Sequence, residues 1–324
     1  MLKFLVFADL HYKKGMYAST MAHLEAIMRW ADAEKADFAI HLGDFCNDYA
    51  GSPEIVELYL NNRYGLPAYG IYGNHELETS GNCMDNVTPL LCNRDVTFGG
   101  KGTGYWHCDI NGYRLIGLDT NYSYNPDTAQ WQHNLSASWG APDGNLYSDS
   151  LGPEQLIWLE NTIDDAAVKG LKALVFSHDG LSGEWHSSPD TDAAREIFSR
   201  HKGTVIMCLN GHLHTDHFCI KDDIAYFDVN TVLNGFWKIS DVQHYTDEHT
   251  FVREVPGTGK TEIVRLNTLT QAVNTWFFED PLSAIVEIDD SGIRITGSAT
   301  DWKYGIAPPD PEDGVRPAIT NTYH

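Results

Sequence analysis

The 324-residue chain is poor in positive charge: 22 Lys and Arg stand against 45 Asp and Glu, a formal net charge of −23. Such a surface repels phosphate backbones and anionic lipid headgroups, so bulk nucleic acid and membranes are excluded as partners. The acidity reads as a solvated, solubilising face, inside which a metal cluster would still make a local positive spot. Cysteine is scarce and scattered. Cys46, Cys83, Cys92, Cys108, Cys208 and Cys219 form no CxxC pair and no dense framework, which points to a reduced, cytoplasmic chain with thiols as core filler. Long apolar runs are also missing: the first one breaks at Asp9 before signal-peptide length, and none is long enough to span a bilayer. No repeat of fixed period occurs. What is present, 42% hydrophobic and 21% charged residues, suits a globular enzyme with a large core.

Leu2 to Ala8 is a continuous apolar run with one Lys, the pattern of a strand buried on both faces, and it ends in Asp9-Leu10-His11. Met21, Leu24, Met28 and Ala31 follow at helical spacing between about 19 and 35. Phe38 to Leu42 is a second buried strand, ending in Gly43-Asp44. Ser52-Pro53 opens a helix that Gly65 stops, and Pro67 to Tyr72 is a third strand, ending in Gly73-Asn74-His75-Glu76. Right-handed crossovers make these strands parallel, and ligands of such sheets bind beyond the carboxyl ends of the strands.

The 83–104 segment, rich in Gly, Asn and Thr, reads as a long surface loop. Tyr105 to Asp119 forms a hairpin about Asn111-Gly112. The 121–150 segment is polar and aromatic without clear period, a substrate-facing lid or a packed excursion. Gly152-Pro153 starts a helix ending near Gly170; Leu171 to Phe176 is a strand that leads into Ser177-His178-Asp179. A helix from about 192 to 201 precedes the strand Thr204 to Leu209, which ends in Asn210-Gly211-His212-Leu213-His214. Two short strands follow, at Phe218 to Ile220 and Ala225 to Val229. The 238–280 segment is mixed, with a helix expected at 268–275, and a hairpin closes at 282–298. The chain divides as 1–237 core, 238–305 extension and 306–324 Pro-rich tail, the last extended or disordered.

The polar groups at strand ends are Asp9, His11, Asp44, Asn74, His75, His178, His212 and His214. Two divalent ions bridged by one carboxylate need about seven nitrogen and oxygen ligands. With His75 kept for proton transfer, the other seven groups supply that set.

Asp-x-His, Gly-Asp, Gly-Asn-His-Glu, a later His and Gly-His-x-His, in this order from Asp9 to His214, resemble the calcineurin-like metallophosphoesterase family. The stretch Leu115 to Thr120 followed by Gly152 to Leu159 is similar to its cyclic-nucleotide-phosphodiesterase-like and general phosphohydrolase members. The resemblance implies an α/β fold, a four-layer α-β-β-α sandwich with a C-terminal β-hairpin extension. It implies that Asp9, His11, Asp44 and His214 hold one metal and that Asp44, Asn74, His178 and His212 hold the other, with Asp44 bridging. A hydroxide between the ions would attack phosphorus, and His75 would protonate the leaving alkoxide or orient the phosphate. Manganese or iron is expected, with zinc or nickel as alternatives. The expected substrate is a small phosphate ester, either a diester such as a cyclic nucleotide or a monoester or pyrophosphate. The competing class is a non-catalytic binding protein that keeps the fold.

The sequence departs from two branches of the family. Asn47 stands where purple acid phosphatases carry a metal-binding Tyr, and Asn47-Asp48-Tyr49 replaces the Asp-Arg-Gly of protein serine/threonine phosphatases. Asp48 or Asn47 is expected to orient His75. His41, Cys46, His186 and His217 read as core, packing or surface residues rather than ligands. Gly257 to Thr261 ends like a phosphate loop, but Glu254 replaces its first Gly, so it is not read as a nucleotide site.

Overall fold

The computed structural model describes the chain apart from residues 13–19, 47–50, 77–83, 126–127, 134–149, 184–189, 233, 240–249, 256–259, 266–272 and 303–313. The first half runs β1 (Leu2–Phe7), α1 (Thr20–Ala33), β2 (Phe38–His41), α2 (Pro53–Leu60), β3 (Ala68–Gly70), α3 (Met84–Val87), β4 (Thr97–Phe98), β5 (Trp106–Ile110), β6 (Tyr113–Gly117), β7 (Tyr122–Asn125) and β8 (Gln130–His133). The second half runs α4 (Gly152–Val168), β9 (Lys172–Ser177), α5 (Thr191–Arg200), β10 (Val205–Asn210), β11 (His217–Lys221), β12 (Ile224–Asp228), β13 (Asn234–Ile239), β14 (Thr250–Val255), β15 (Lys260–Arg265), β16 (Val273–Phe277), β17 (Ala284–Asp289), β18 (Gly292–Gly297) and β19 (Thr322–Tyr323).

Two sheets carry the fold, ordered β19-β18-β17-β1-β2-β3 and β11-β12-β10-β9-β6-β5-β4. Strand alternation divides the apolar residues into three layers. Leu2, Phe4, Val6 and Ala8 point between the sheets, where they meet Leu174, Phe176, Met207 and Leu209. Leu5 and Phe7 point the other way, onto Leu24 and Met28 of α1 and Ile55 and Tyr59 of α2. On the second sheet Val175 and Cys208 face Leu159 and Ile163 of α4 and Phe198 of α5. The result is the expected helix, sheet, sheet, helix sandwich. Phe4 ties its middle together, stacked on Phe38 at 4.8 Å and edge-on to Phe176 at 6.0 Å.

Parallel pairing positions the site. β1, β2 and β3 are mutually parallel, as are β6, β9, β10 and β12, so the loops after β1, β2 and β3 emerge together, as do those after β9 and β10. The turn between β5 and β6 has positive φ at both Asn111 (49°) and Gly112 (85°), the two-residue geometry that Asn-Gly favours. No helix among the described residues is long and apolar enough to cross a membrane.

Four expectations need amendment. The 83–104 segment contains α3 and a single 3₁₀ turn at Thr88–Leu90, because Val87 and Leu91, one helical turn apart, are buried beside α2 and β3. Within 121–150, β7 and β8 pair as a hairpin; Tyr-Ser-Tyr-Asn and Gln-Trp-Gln-His alternate with period two, a signal masked by their polar character. The helix expected at 268–275 is not present in its described part: Val273 to Thr275 lie in β16, paired antiparallel with β13, as their β-branched and aromatic content favours. Residues 266–272 lie outside the described residues. The tail from 314 onward is extended but firmly bound, and β19 extends the first sheet beside β18.

That tail is fastened to the loop after β10. The buried Asp216 carboxylate accepts hydrogen bonds from the Thr320 amide (3.0 Å) and hydroxyl (2.6 Å), and the Asp216 amide donates to the Gly314 carbonyl (2.8 Å). Thr320→Val removes one bond to a buried charge, which predicts a loss of about 1–2 kcal/mol in unfolding free energy, read from urea denaturation midpoints.

Candidate metal centre

Each polar group expected at a strand end lies at that end, and the loops converge. Asp9 and His11 follow β1, Asp44 follows β2, Asn74 and His75 follow β3, His178 follows β9, and His212 and His214 follow β10. Three sets of atoms able to ligate a metal lie within 4.8 Å of one another: Asp9, His11 and His214; His11, Asp44 and His75; and Asp44, His178 and His212. Asn74 joins the third through its Oδ1, 3.1 Å from His178 Nε2. Asp48 and His186 lie outside the described residues.

The loops reach this arrangement at a conformational cost. Asp9, His11, Asp44, His212 and His214 all have left-handed backbone, with φ of 55°, 47°, 49°, 68° and 54°. They are half of the ten described non-glycine residues with positive φ; the others sit at turns or next to them. Residues in this region persist where the surroundings over-determine them. Here the surroundings include two glycines. A Cβ on Gly43 (φ +90°) would lie 2.6 Å from the Gly73 nitrogen and from His178 Nδ1, and one on Gly73 would lie 2.2 Å from Asp44 Oδ1. The two loops therefore meet through backbone contact that only glycine permits.

Glu76 locks them together. Its fully buried carboxylate accepts the amide hydrogens of Asp44 (3.0 Å), Phe45 (2.7 Å) and Gly73 (2.5 Å), bridging the loops after β2 and β3. Burial, then the nearby Asp44 charge, pushes its pKa up to about 7, while the amide donors act in the opposite sense. Asp9 bridges the sheets in the same manner: both its oxygens receive the His212 amide, at 3.3 and 3.0 Å.

Electrostatics follow from acceptors crowded away from water. His178 Nδ1 lies 2.7 Å from the Leu42 carbonyl, which can only accept, so Nδ1 carries the proton. Its Nε2 then faces Asn74 Oδ1 at 3.1 Å, Asp44 Oδ2 at 3.3 Å and His212 Nδ1 at 3.1 Å, a position that attracts a proton in the ion-free chain and a cation in its place. His11 and His214 likewise oppose their Nε2 atoms at 3.2 Å, with Asp9 Oδ1 3.4 Å from His214 Nε2. Burial drives the Asp44 carboxyl up and His178 down, but their mutual attraction wins, leaving Asp44 well below and His178 well above its ordinary value. Burial lowers His11 to about 3, so its ring is neutral and its lone pair is available. A cluster of nitrogen and oxygen lone pairs with so few protons to share is the donor set of bound cations, and the residues present fit divalent metals.

Other sequence readings also resolve. His41 is buried, accepts the Gly43 amide at Nδ1 (3.3 Å) and stacks on Phe45, so it belongs to the core. His217 faces Asp228 at 3.2 Å, away from the ligand sets, and Cys46 packs under the site. Four polar residues near the site were not singled out from the sequence. Thr120 donates its hydroxyl to Asp179, Asp179 faces His212, and His133 of β8 pairs with the buried Asp119 at 2.8 Å. Asp119, Thr120 and Asp179 stand just after apolar strands, as the ligands do, and that placement was the available signal. Nothing local marks His133.

The model of the family described as calcineurin-like phosphoesterase matches residues 2–216, and the chain belongs to that family. It is accordingly a metal-dependent phosphoester hydrolase. No curated protein matches the chain in sequence. Among solved structures, a dimetal phosphatase from Danio rerio superposes with TM-score 0.60 at 12% identity, covering 91% of this chain and 95% of its own. GAP50, the anchor in the inner membrane complex of Plasmodium, gives TM-score 0.48 at 12% identity, over 91% of this chain and 84% of its own.

Glu76→Ala strands three buried amide donors at once. The metal-free variant is predicted to lose about 3–5 kcal/mol of unfolding free energy, measured by chemical denaturation in the presence of chelator.

Proposed function

We propose that the chain hydrolyses a phosphate ester of a small molecule at a centre of two divalent ions. Asp9, His11, Asp44 and His214 hold one ion; Asp44, Asn74, His178 and His212 hold the other. The observation that carries this reading is that Asp44 takes part in ligand sets with His11 on one side and with His178 and His212 on the other, the requirement for a bridging carboxylate. Mixed imidazole, carboxylate and amide ligation suits manganese or iron, with zinc or nickel admissible. Such ions lower the pKa of a water nucleophile and offset charge on the phosphoryl oxygens.

The protein's own groups supply the rest. His75 is the proton donor to the leaving oxygen: its backbone is anchored by a 2.9 Å bond from its amide to Asp44 Oδ1, and its side chain retains 15% exposure, with Nε2 3.8 Å from Asp44 Oδ2. It thus stands at the open side of the centre, next to the group that organises both ions. Asp48 or Asn47 orients its imidazole in this scheme. A net charge of −23 disfavours polyanionic substrates and favours small esters, diester or monoester. Among the described residues, Cys46, Cys92, Cys108, Cys208 and Cys219 form no disulfide, in keeping with a reducing cytoplasm.

Metal analysis combined with rates on a nitrophenyl monoester, its diester and cyclic nucleotides tests this reading. Two ions per chain and hydrolysis of at least one substrate are expected; a metal-loaded protein inert toward all of them would overturn it. Asp44→Ala is expected to lose both ions and activity. His75→Ala is expected to keep two ions and lose about 10²–10⁴-fold in kcat on alkyl esters, and less on nitrophenyl esters, whose leaving group needs no proton. A fall to one ion in His75→Ala would make it a ligand instead. Chelation is expected to lower Tm as well as activity, because ions that bind only the folded chain stabilise it.

A further inference from the structure

The imidazoles of the centre differ in what holds the ring nitrogen that points away from it. For His178 it is the Leu42 carbonyl, at 2.7 Å. For His214, Nδ1 is buried and has no hydrogen-bond partner. For His212, Nε2 faces Asp179 Oδ1 at 3.6 Å, while Nδ1 faces His178 Nε2 at 3.1 Å. Of these three, His212 is the one with a carboxylate behind it.

That carboxylate is itself built into place. Asp179 is 4% exposed, its Oδ2 receives the Thr120 hydroxyl, and its backbone carbonyl receives the Ser177 hydroxyl at 2.6 Å. Thr120 is fully buried beyond β6, so the chain Thr120, Asp179, His212 links the ends of three neighbouring strands, β6, β9 and β10. A buried carboxylate needs positive partners, and in this setting the Thr120 hydroxyl serves one oxygen while the other faces His212 Nε2 at 3.6 Å, which favours the ring proton on that nitrogen. With the proton fixed on Nε2, the Nδ1 lone pair is directed to the centre.

We propose that Asp179, held by Thr120, is a positioning residue that fixes the tautomer of His212 and strengthens Nδ1 as a ligand for one ion of the pair. The inference rests on His212 being a ligand, as read above. A carboxylate behind a ligating imidazole fixes the ring and raises its basicity, and its loss typically weakens metal affinity about 10–100-fold. The asymmetry with His214 means that the two ions differ in how tightly the protein holds them.

The test is stepwise metal titration of the full-length protein with manganese, and the visible spectrum of its cobalt(II) form. Asp179→Asn keeps the shape and the contact with Thr120 but removes the charge. It is expected to weaken one of the two dissociation constants about 10–100-fold, leave the other within about twofold and shift the cobalt absorption. Thr120→Val is expected to weaken the same constant by a smaller factor, and it carries the test if Asp179→Asn does not fold. His212→Ala, expected to lose one ion, is expected to mask the effect of Asp179→Asn. If His212→Ala loses one ion while Asp179→Asn leaves both constants and the spectrum unchanged, the inference is overturned and the ligand reading stands. If His212→Ala still binds two ions normally, both fall. An equal loss at both ions, with a lower urea midpoint, would assign Asp179 to general stability and also overturn the inference.

Discussion

The structure depends on a concentration of lone pairs that has no internal remedy. Around His178 Nε2, an amide oxygen, a carboxylate oxygen and a second imidazole nitrogen all lie within 3.3 Å, and around His11 the pattern repeats with Asp9, Asp44 and His214. Removed from water, such a group is costly unless positive charge offsets it, and the protons available are too few. The remaining architecture can be understood as what keeps these acceptors together until cations compensate them.

Rigidity comes from three sources. Two sheets pressed face to face through Phe4, Phe38 and Phe176 fix the positions of the strand ends. Left-handed backbone at five of the site residues turns the loops after β1, β2 and β10 sharply as they leave their strands. Buried carboxylates that bind no ion then join one loop to the next: Glu76 joins the loops after β2 and β3, and Asp216 fastens the C-terminal tail to the loop carrying His214. Acidic residues thus serve twice here, as members of the candidate ligand sets and as acceptors for backbone amides, which explains part of the acidity in physical terms beyond solubility.

Much of this was legible in the sequence. Apolar runs such as Leu2 to Ala8 and Phe38 to Leu42 report strands buried on both faces, and polar pairs just after them report strand ends at a shared edge, so the parallel strands and the candidate ligands could be read without coordinates, while the sandwich was implied by the family resemblance. The β7–β8 hairpin was missed because polar and aromatic alternation resembles loop, and β16 was missed because its partner β13 lies far back in the chain, so no local hairpin signal marks it. The role of Glu76 was not legible either, since its partners Asp44 and Phe45 are more than thirty residues distant in the chain.

By itself the sequence determined which residues could be ligands and in what order they arrive, because strand periodicity and the residue types that follow each strand are local properties. Only the tertiary structure decided which of them lie within ligating distance of one another, which ring nitrogens face the centre, and that Asp44 stands between the two sets. Those are distances between segments far apart in the chain, set by how two sheets pack and by which buried carboxylate finds which amide. No local pattern encodes them.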